Sequence, residues 1–327
     1  MKAIRVEKTG GPEVMTLQEV ASPGTPAAGQ ALVRIMVAGV NFIDVQQRRG
    51  SYPRPLPFTP GVEASGIVES VGEGVTGIKP SARVAWAMAP GAYAEEAVVD
   101  AAKLIPLPDD FSFEQGAAFP AQGTTAHYLL HEFHKVKKGD VVLVHAAAGG
   151  LGLIVVQWAK GLGARVIGTV STEEKARAVR EAGGDEVINY TQQDFAAEVM
   201  RLTGGHGADL VLDSVGKMTF AKSLEAAAVR GHVVCFGSAS GPADPIAPNS
   251  LMTKSLSISG GAMANFLRTR EELLYRAGEV ISAVQRGLIT LAIDRVFPLG
   301  EVAEAHRLIE ARKTSGKLLL ATNNGKS

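Results

Sequence analysis

The first third of the chain has the hydrophobic pattern of short β-strands. Apolar and β-branched runs alternate with turns rich in glycine and proline up to about residue 106, and this predicts an all-β unit. Strands are predicted at residues 2–7, 31–37, 63–71, 82–87 and 92–99. The polar, proline-rich stretch 39–63 is predicted to be a long loop, and such loops are usually functional or disordered.

From about residue 112 the pattern changes to alternating helices and strands. Ser112 is a predicted N-cap for a helix beginning FEQGAAF, and residues 124–133 form a second predicted helix. Six apolar segments of strand length follow, at 141–145, 165–169, 186–188, 210–213, 232–236 and 255–258. Helical segments at 153–160, 172–182, 195–202 and 219–228 separate most of them. This alternation predicts an α/β fold with a doubly wound parallel sheet.

The tail has a further helix and strand pattern of its own. Helices are predicted at 271–286 and 300–311, and strands at 293–297 and 317–321. Because six strands already complete a doubly wound sheet, we expect the tail to rejoin the first unit. The expected domains are 125–265, and a discontinuous partner formed by 1–124 and 266–327.

The turn after the first of the six strands carries the clearest chemical signal. In the sequence VVLVHAAAGGLG, Ala147, Gly149 and Gly152 occupy the three small-residue positions of the dinucleotide fingerprint, with alanine in place of the first glycine. The free N–H groups and dipole of the following helix favour an anion such as a pyrophosphate. The alternative is a glycine-rich turn of another α/β protein, and the position at the first of six strands favours the dinucleotide.

The end of the second strand favours NADPH over NADH. An NAD site usually has an acidic residue there that binds the ribose 2′-hydroxyl, whereas this chain has hydroxyls at Ser171 and Thr172 and a charge at Lys175. These groups suit a 2′-phosphate. The alternative interpretation makes Thr172 or Ser171 a plain N-cap and Lys175 a solvated helix residue.

Charge and composition exclude several classes of protein. The chain has 33 basic and 33 acidic residues, so we expect no net attraction to nucleic acid or to a membrane. Its one cysteine, Cys235, excludes an intrachain disulfide and a cysteine-built metal cage, and we expect it to be a buried core thiol. No apolar run of about 18 residues and no signal-peptide core occur, which predicts a cytoplasmic protein.

No metal site is predicted. The 39–63 stretch has neither cysteine nor histidine, and His127, His131 and His134 are expected to form a solvent-facing cluster on one helix face. Without a metal to polarise a carbonyl, a reductase needs an acceptor that takes hydride readily. Quinones and conjugated enones meet that requirement.

Several short motifs together resemble one family. They are NFID at 41–44, SYP at 51–53, HAAAGGLG at 145–152, INY at 188–190, DSVG at 213–216 and FGSASG at 236–241. In this order they are similar to the quinone oxidoreductases, the zeta-crystallin-like, zinc-free branch of the medium-chain dehydrogenase/reductase superfamily. The resemblance implies a mainly β, chaperonin-10 (GroES)-like substrate domain and a Rossmann domain, with NADPH and substrate in the cleft between them. It also implies a homodimer.

The resemblance assigns site residues by position. The implied cofactor-binding residues are Asn41, Thr125, Ala148, Gly149, Gly150, Leu151, Gly152, Thr169, Ser171, Lys175, Tyr190, Ser214, Phe236, Gly237 and Ser238. Gly149 to Gly152 would hold the pyrophosphate, and Ser171, Lys175 and Tyr190 would hold the 2′-phosphate. Tyr52 and Asn41 would face the substrate, and our hypothesis is that they donate hydrogen bonds to its oxygen as charge develops there.

The expected reaction is reduction of a quinone by NADPH. The residues do not separate quinones from α,β-unsaturated carbonyls, nor one-electron from two-electron reduction. A non-catalytic NADPH-binding protein, of the crystallin or RNA-binding kind, is a second hypothesis, although no aromatic and basic stripe supports RNA binding. An enoyl reductase module is a third.

Overall fold

The computed structural model describes residues 1–322. In chain order the strands are β1 Lys2–Val6, β2 Met15–Glu19, β3 Gln30–Gly39, β4 Glu63–Val71, β5 Arg83–Ala87, β6 Glu96–Asp100, β7 Ile105–Pro106, β8 Val141–Val144, β9 Arg165–Val170, β10 Glu186–Asn189, β11 Ala208–Asp213, β12 Ala227–Cys235, β13 Ser257–Gly260, β14 Ile293–Pro298 and β15 Lys317–Ala321. The helices are α1 Phe42–Arg49, α2 Phe113–Ala118, α3 Pro120–Tyr128, α4 Gly150–Gly161, α5 Glu173–Glu181, α6 Phe195–Leu202, α7 Phe220–Ala226, α8 Arg270–Gln285 and α9 Val302–Glu310.

The chain divides into two units. The first unit contains Met1–Gln122, Leu267–Gly278 and the described residues from Ile293 on, and the second contains Gly123–Phe266 and Glu279–Ala292. The division of the tail falls within α8, whose last residues cluster with the second unit.

The second unit is built on a six-stranded sheet in the order β10-β9-β8-β11-β12-β13, and every pair in it is parallel. Counted from β8, this is the 3-2-1-4-5-6 order of a dinucleotide-binding sheet. All four residues of β8 are buried, as expected for a parallel strand covered on both faces. The predicted doubly wound fold is confirmed.

The first unit is mainly β. Its larger sheet has the order β14-β15-β3-β4-β5-β7, with β6 also paired to β3. β15 pairs antiparallel with β3, so a strand near residue 320 lies beside one near residue 38. The core contains Ile35 of β3, Trp86 of β5 and Leu320 of β15, together with Leu104 just before β7. Burial of these large apolar side chains stabilises the sheet whose strand β3 leads into Asn41, two residues after its end.

The stretch 39–63 is not only a loop. It contains α1, which begins after Asn41 and is capped at its C-terminal end by Gly50, a residue in the left-handed conformation with φ 85°. The helix was not predicted because its buried residues include Asp44, Gln47 and Arg48, so apolar periodicity is absent. Strand β2 was also not predicted.

The expected histidine cluster is wrong in one respect. His127 is buried and its ring lies 5.5 Å from that of Trp158, so it does not face solvent. Further along, His134 Nε2 lies 3.0 Å from Asp140 Oδ2. Among residues 1–322, no helix is long and apolar enough to pass through a bilayer.

Candidate active site

The turn between β8 and α4 has the geometry of an anion site. Ala146 has φ 51°, and its carbonyl oxygen accepts from Gly149 N at 3.0 Å. A Cβ on Gly152 would lie 2.5 Å from Ala146 O, so only glycine fits there. Gly149 is the N-cap of α4, and the first N–H groups of a helix have no partner within the helix. The turn can therefore donate several hydrogen bonds to a phosphate.

The alanine at the first fingerprint position is accommodated by a glycine on the neighbouring strand. A Cβ on Gly168 would lie 2.8 Å from the Cβ of Ala147. Ala147 N donates to Thr169 O at 3.2 Å, which holds the turn against β9. The Ala147 methyl group therefore fills the space that a side chain at position 168 would need.

The groups expected at a 2′-phosphate lie on neighbouring segments. Tyr190 N donates to Val170 O at 3.1 Å, which places Tyr190 beside the end of β9. Thr172 is the N-cap of α5, and its hydroxyl accepts from Lys175 N at 3.3 Å. A polar groove of about 350 Å³ adjoins these segments and is lined by residues that include Ser171, Thr172 and Asn189.

The loops after β11 and β12 pack against each other. Phe236 N donates to Asp213 O at 3.0 Å, and a Cβ on Gly237 would lie 2.6 Å from Ser214 O. Cys235 is half-buried, not fully buried as expected. Burial and then the charge of Asp213 raise the pKa of its thiol, which makes a thiolate nucleophile unfavourable.

Two predicted cofactor residues are threonines with little exposure. Thr125 is buried on α3, and Thr169 is buried near the end of β9. The Thr169 hydroxyl lies 2.9 Å from His145 Nδ1. Its side chain is thus engaged within the second unit.

In the first unit, Asn41 belongs to a buried ionic cluster. Its Nδ2 donates to Glu63 Oε2 at 2.8 Å, and its Oδ1 accepts from Lys317 Nζ at 2.8 Å. Lys317 Nζ also donates to Glu63 Oε2 at 2.6 Å, and these two side chains are 1% and 0% exposed. Because Nδ2 has an acceptor in Glu63 and Oδ1 has a donor in Lys317, the orientation of the Asn41 amide is fixed.

Sequence reasoning missed Glu63 and Lys317. The pair is separated by 254 positions, so no local spacing relates them. One feature of the sequence could have identified them: each is a charged residue at the start of an apolar strand segment, EASGIV for Glu63 and KLLLA for Lys317. A charge at the start of a buried strand needs a partner.

A second polar chain supports the start of α1. Asp44 Oδ2 accepts from Asn41 N at 2.9 Å and from Tyr93 Oη at 2.8 Å. Burial is the main cause that raises the pKa of Asp44 to about 7. Tyr93 Oη also lies 3.3 Å from His306 Nε2, and burial followed by the charge of Arg48 lowers the pKa of His306 to about 3.

Tyr52 has a different environment. Its side chain is 53% exposed, and its backbone N donates to Gln46 O at 3.2 Å.

Within the described part of the chain, no group of three or more His, Cys, Asp or Glu residues could hold a metal ion.

Family models match both units. Residues 27–109 match the alcohol dehydrogenase GroES-like domain, and residues 150–277 match the zinc-binding dehydrogenase model. Quinone oxidoreductase 1 of Escherichia coli is 41% identical over 325 residues, which cover 97% of this chain and 99% of that protein.

The chain belongs to the quinone oxidoreductases of the medium-chain dehydrogenase/reductase superfamily. The family resemblance and the GroES-like and Rossmann folds expected from the motifs are confirmed.

Two further family relatives bear on the chemistry. The structure of the Escherichia coli quinone oxidoreductase complexed with NADPH matches with a TM-score of 0.95 and 40% identity, covering 98% of this chain and 100% of that one. A 2-haloacrylate reductase of Burkholderia is 43% identical over 96% of this chain and 97% of its own length.

Proposed function

We propose that this protein is an NADPH-dependent quinone reductase. One observation carries the proposal: over 98% of its length the chain matches a quinone oxidoreductase solved with NADPH. The dinucleotide turn, which has no room for a side chain at Gly152, supports it. The second strand ends without the acidic residue that NADH would favour.

The proposed cofactor site follows the implied positions. The N–H groups of Gly150, Leu151 and Gly152 bind the pyrophosphate, and Ala148 and Gly149 line it with backbone, because Gly149 N already donates to Ala146 O. Ser171, Lys175 and Tyr190 bind the 2′-phosphate, which the junction of β9, α5 and β10 supports. Asn41 and Thr125 are the residues proposed near the nicotinamide. The proposed lining of the cofactor trough is Ser214, Phe236, Gly237 and Ser238, and Thr169 is a further proposed cofactor-binding residue.

When bound, NADPH supplies the hydride. The chain's own task is then to stabilise negative charge on the substrate oxygen with hydrogen-bond donors. Asn41 has one N–H committed to Glu63, and its Nδ2 lies a longer 3.4 Å from Gly39 O, so a second N–H is only weakly engaged. The exposed Tyr52 is the second proposed donor, with a role as an aromatic lid as the alternative.

These two roles are tested with Tyr52→Phe and Asn41→Ala. Removing one oxyanion donor typically costs about 100-fold or more in kcat when that donor is essential. We expect a fall in kcat at saturating NADPH, larger for Asn41→Ala because it also releases Glu63 and Lys317. Full turnover by both variants would reject the assignment.

Reduction of activated alkenes is the second candidate, and the similarity to a 2-haloacrylate reductase favours it specifically. Initial rates with NADPH should be compared on 1,4-naphthoquinone, 9,10-phenanthrenequinone, an alkyl enone and 2-chloroacrylate. We expect quinones to be the faster substrates. Fast enone or haloacrylate reduction with no quinone turnover would replace our first choice, and NADPH binding without any turnover would favour a non-catalytic role.

Four finer properties belong to the same proposal. We propose a cytoplasmic homodimer that works without zinc and does not bind nucleic acid. The open edge strand β13 of the six-stranded sheet supports dimer formation, because an edge can pair with its symmetry copy. Light scattering after size exclusion tests the dimer, and activity that survives a metal chelator tests the zinc independence.

A further inference from the structure

A buried chain of hydrogen bonds runs through the second unit and is not explained by the dinucleotide fingerprint. Thr169 Oγ1 lies 2.9 Å from His145 Nδ1, His145 Nε2 lies 3.0 Å from Ser223 Oγ, and Ser223 Oγ donates to Asp213 Oδ2 at 2.8 Å. All four side chains are buried. They come from β9, the residue after β8, α7 and β11.

The arrangement is not a nucleophilic triad, although it contains Ser, His and Asp. In a triad the histidine lies between the serine and the carboxylate. Here Ser223 lies between His145 and Asp213, and all three are closed to substrate. These hydrogen-bonded side chains must therefore act through the segments of structure around them.

The hydrogen bonds define the tautomer of His145. The Ser223 hydroxyl has one proton, and its possible acceptors besides the ring are Asp213 Oδ2 at 2.8 Å and Thr219 O at 3.0 Å. A carboxylate acceptor gives the stronger bond, and either choice directs the proton away from His145. Nε2 must then carry a hydrogen and donate to Ser223, while Nδ1 accepts from Thr169.

Three of the four side chains, those of His145, Thr169 and Asp213, belong to residues that adjoin a segment of the proposed cofactor site. His145 leads directly into the Ala146–Gly152 turn, and Thr169 precedes Ser171 by two residues. Asp213 Oδ1 accepts from Val215 N at 2.9 Å and Gly216 N at 3.0 Å, which fixes the loop containing Ser214.

We propose that His145, as its Nε2–H tautomer, is a positioning residue that holds these three cofactor-binding segments in register. The inference deepens the proposed NADPH site and rests on it. Burial lowers the pKa of His145 to about 4, so the ring stays neutral near pH 7 and keeps one donor and one acceptor.

The first test is the tautomer itself. The ¹⁵N shifts of the imidazole rings should be recorded in the free protein, with the His145 signal identified by its loss in His145→Gln. We expect Nε2–H in the wild type. In Ser223→Ala, which removes the acceptor of that hydrogen, we expect a shift toward Nδ1–H. A wild-type ring protonated on Nδ1 would overturn the proposal.

The second test is cofactor affinity. Ser223 is outside the proposed contact set, so Ser223→Ala should weaken NADPH binding only indirectly, through its two partners His145 and Asp213. We expect a rise of about tenfold in Kd, the size expected when a buried polar group loses its partner. The kcat at saturating NADPH should remain within about twofold, because the register is restored once the cofactor is bound.

A double-mutant cycle separates this role from direct contact by Thr169. If Thr169→Val and Ser223→Ala both act through His145, their effects on Kd are not additive. Additive effects would contradict the proposal. Val199→Ala, a buried α6 residue, controls for general loss of stability and should leave Kd unchanged.

Different results would overturn the proposed NADPH-dependent function and the proposed role of His145. A wild-type protein that does not bind NADPH overturns the proposed function. Wild-type binding with an unchanged affinity in Ser223→Ala overturns only the role of His145.

Discussion

At the scale of single residues, Asp44 is the most unusual group in the first unit. Its carboxyl is fully buried, and Oδ1 has no hydrogen-bond partner among the described residues. Asn41 N and Tyr93 Oη donate to Oδ2, Lys317 and Glu63 act on Asp44 through their charges, and His306 and Arg48 lie beyond Tyr93. Burial outweighs the two donors, so the protonated form is favoured up to neutral pH.

The raised pKa has a defined effect on stability. The folded pKa is about 7 against an ordinary value of 3.8, so this group's stabilising contribution is full below the ordinary value and is lost as pH rises through 7. We expect Asp44→Asn to remove this slope. Relative to the wild type, its free energy of unfolding should rise by roughly 3 kcal/mol from about pH 5 to about pH 8.

Urea unfolding at both pH values measures this. Asp194→Asn is the control, because the hydrogen bond from Lys222 lowers the pKa of that exposed carboxyl and its titration lies below this range. A parallel pH dependence for Asp44→Asn and the wild type would contradict the expectation.

At the scale of elements, the βα turn depends on a strand that is not adjacent in sequence. Ala147 and Gly168 share one small space, so their sizes are coupled. Compared with the dinucleotide fingerprint alone, Ala147 is a departure from the glycine expected at the first position. The structure shows that β9 compensates for it.

We expect Gly168→Ala to destabilise the protein by about 1–3 kcal/mol, because the new methyl group would meet Ala147 Cβ at 2.8 Å and Val179 Cγ1 at 2.9 Å. Adding Ala147→Gly should recover part of the loss, while the contact with Val179 remains. Chemical denaturation of both variants measures the coupling. A double variant no more stable than Gly168→Ala would reject the shared-space explanation.

Elements differed in how far the sequence could predict them. Helix α6 has the predicted bounds because its buried side is apolar, and Ser112 caps α2 through Gln115 N as expected. Strand β4 also has the predicted bounds, although it buries Glu63 and Ser65. Helix α1 could be found only from the Asn41 to Asp44 capping pattern and the terminal Gly50, since it buries polar residues. Asn41 was identified by motif, but the bonds that orient it depend on long-range pairing.

At the scale of the whole molecule, strand β15 joins the sheet of the first unit to a segment far away in sequence. Lys317 opens β15 and forms its ion pair with Glu63 at the start of β4, so one contact joins residues 254 positions apart. The same pair orients Asn41. The long-range fold and the proposed site thus share one ionic cluster.

Breaking this pair on one side should be costly. We expect Lys317→Met to destabilise the protein by about 3–5 kcal/mol, because it leaves the Glu63 carboxylate buried without its cation. Glu63→Gln combined with Lys317→Met should be less destabilised than Lys317→Met alone. Lys222→Met, which breaks the exposed pair with Asp194, should cost about 0–1 kcal/mol in the same urea titration.

The pairing of β15 with β3 also determines the order in which the two sheets can form during translation. All six strands of the second unit's sheet lie between residues 141 and 260, so that sheet can close while the tail is still being translated. In the nascent first unit, β3 can pair with β4 on one side, but its other edge at Val37 to Gly39 stays unpaired until Leu319 and its neighbours emerge. An exposed strand edge of this kind is a target for chaperones and for misassociation between nascent chains.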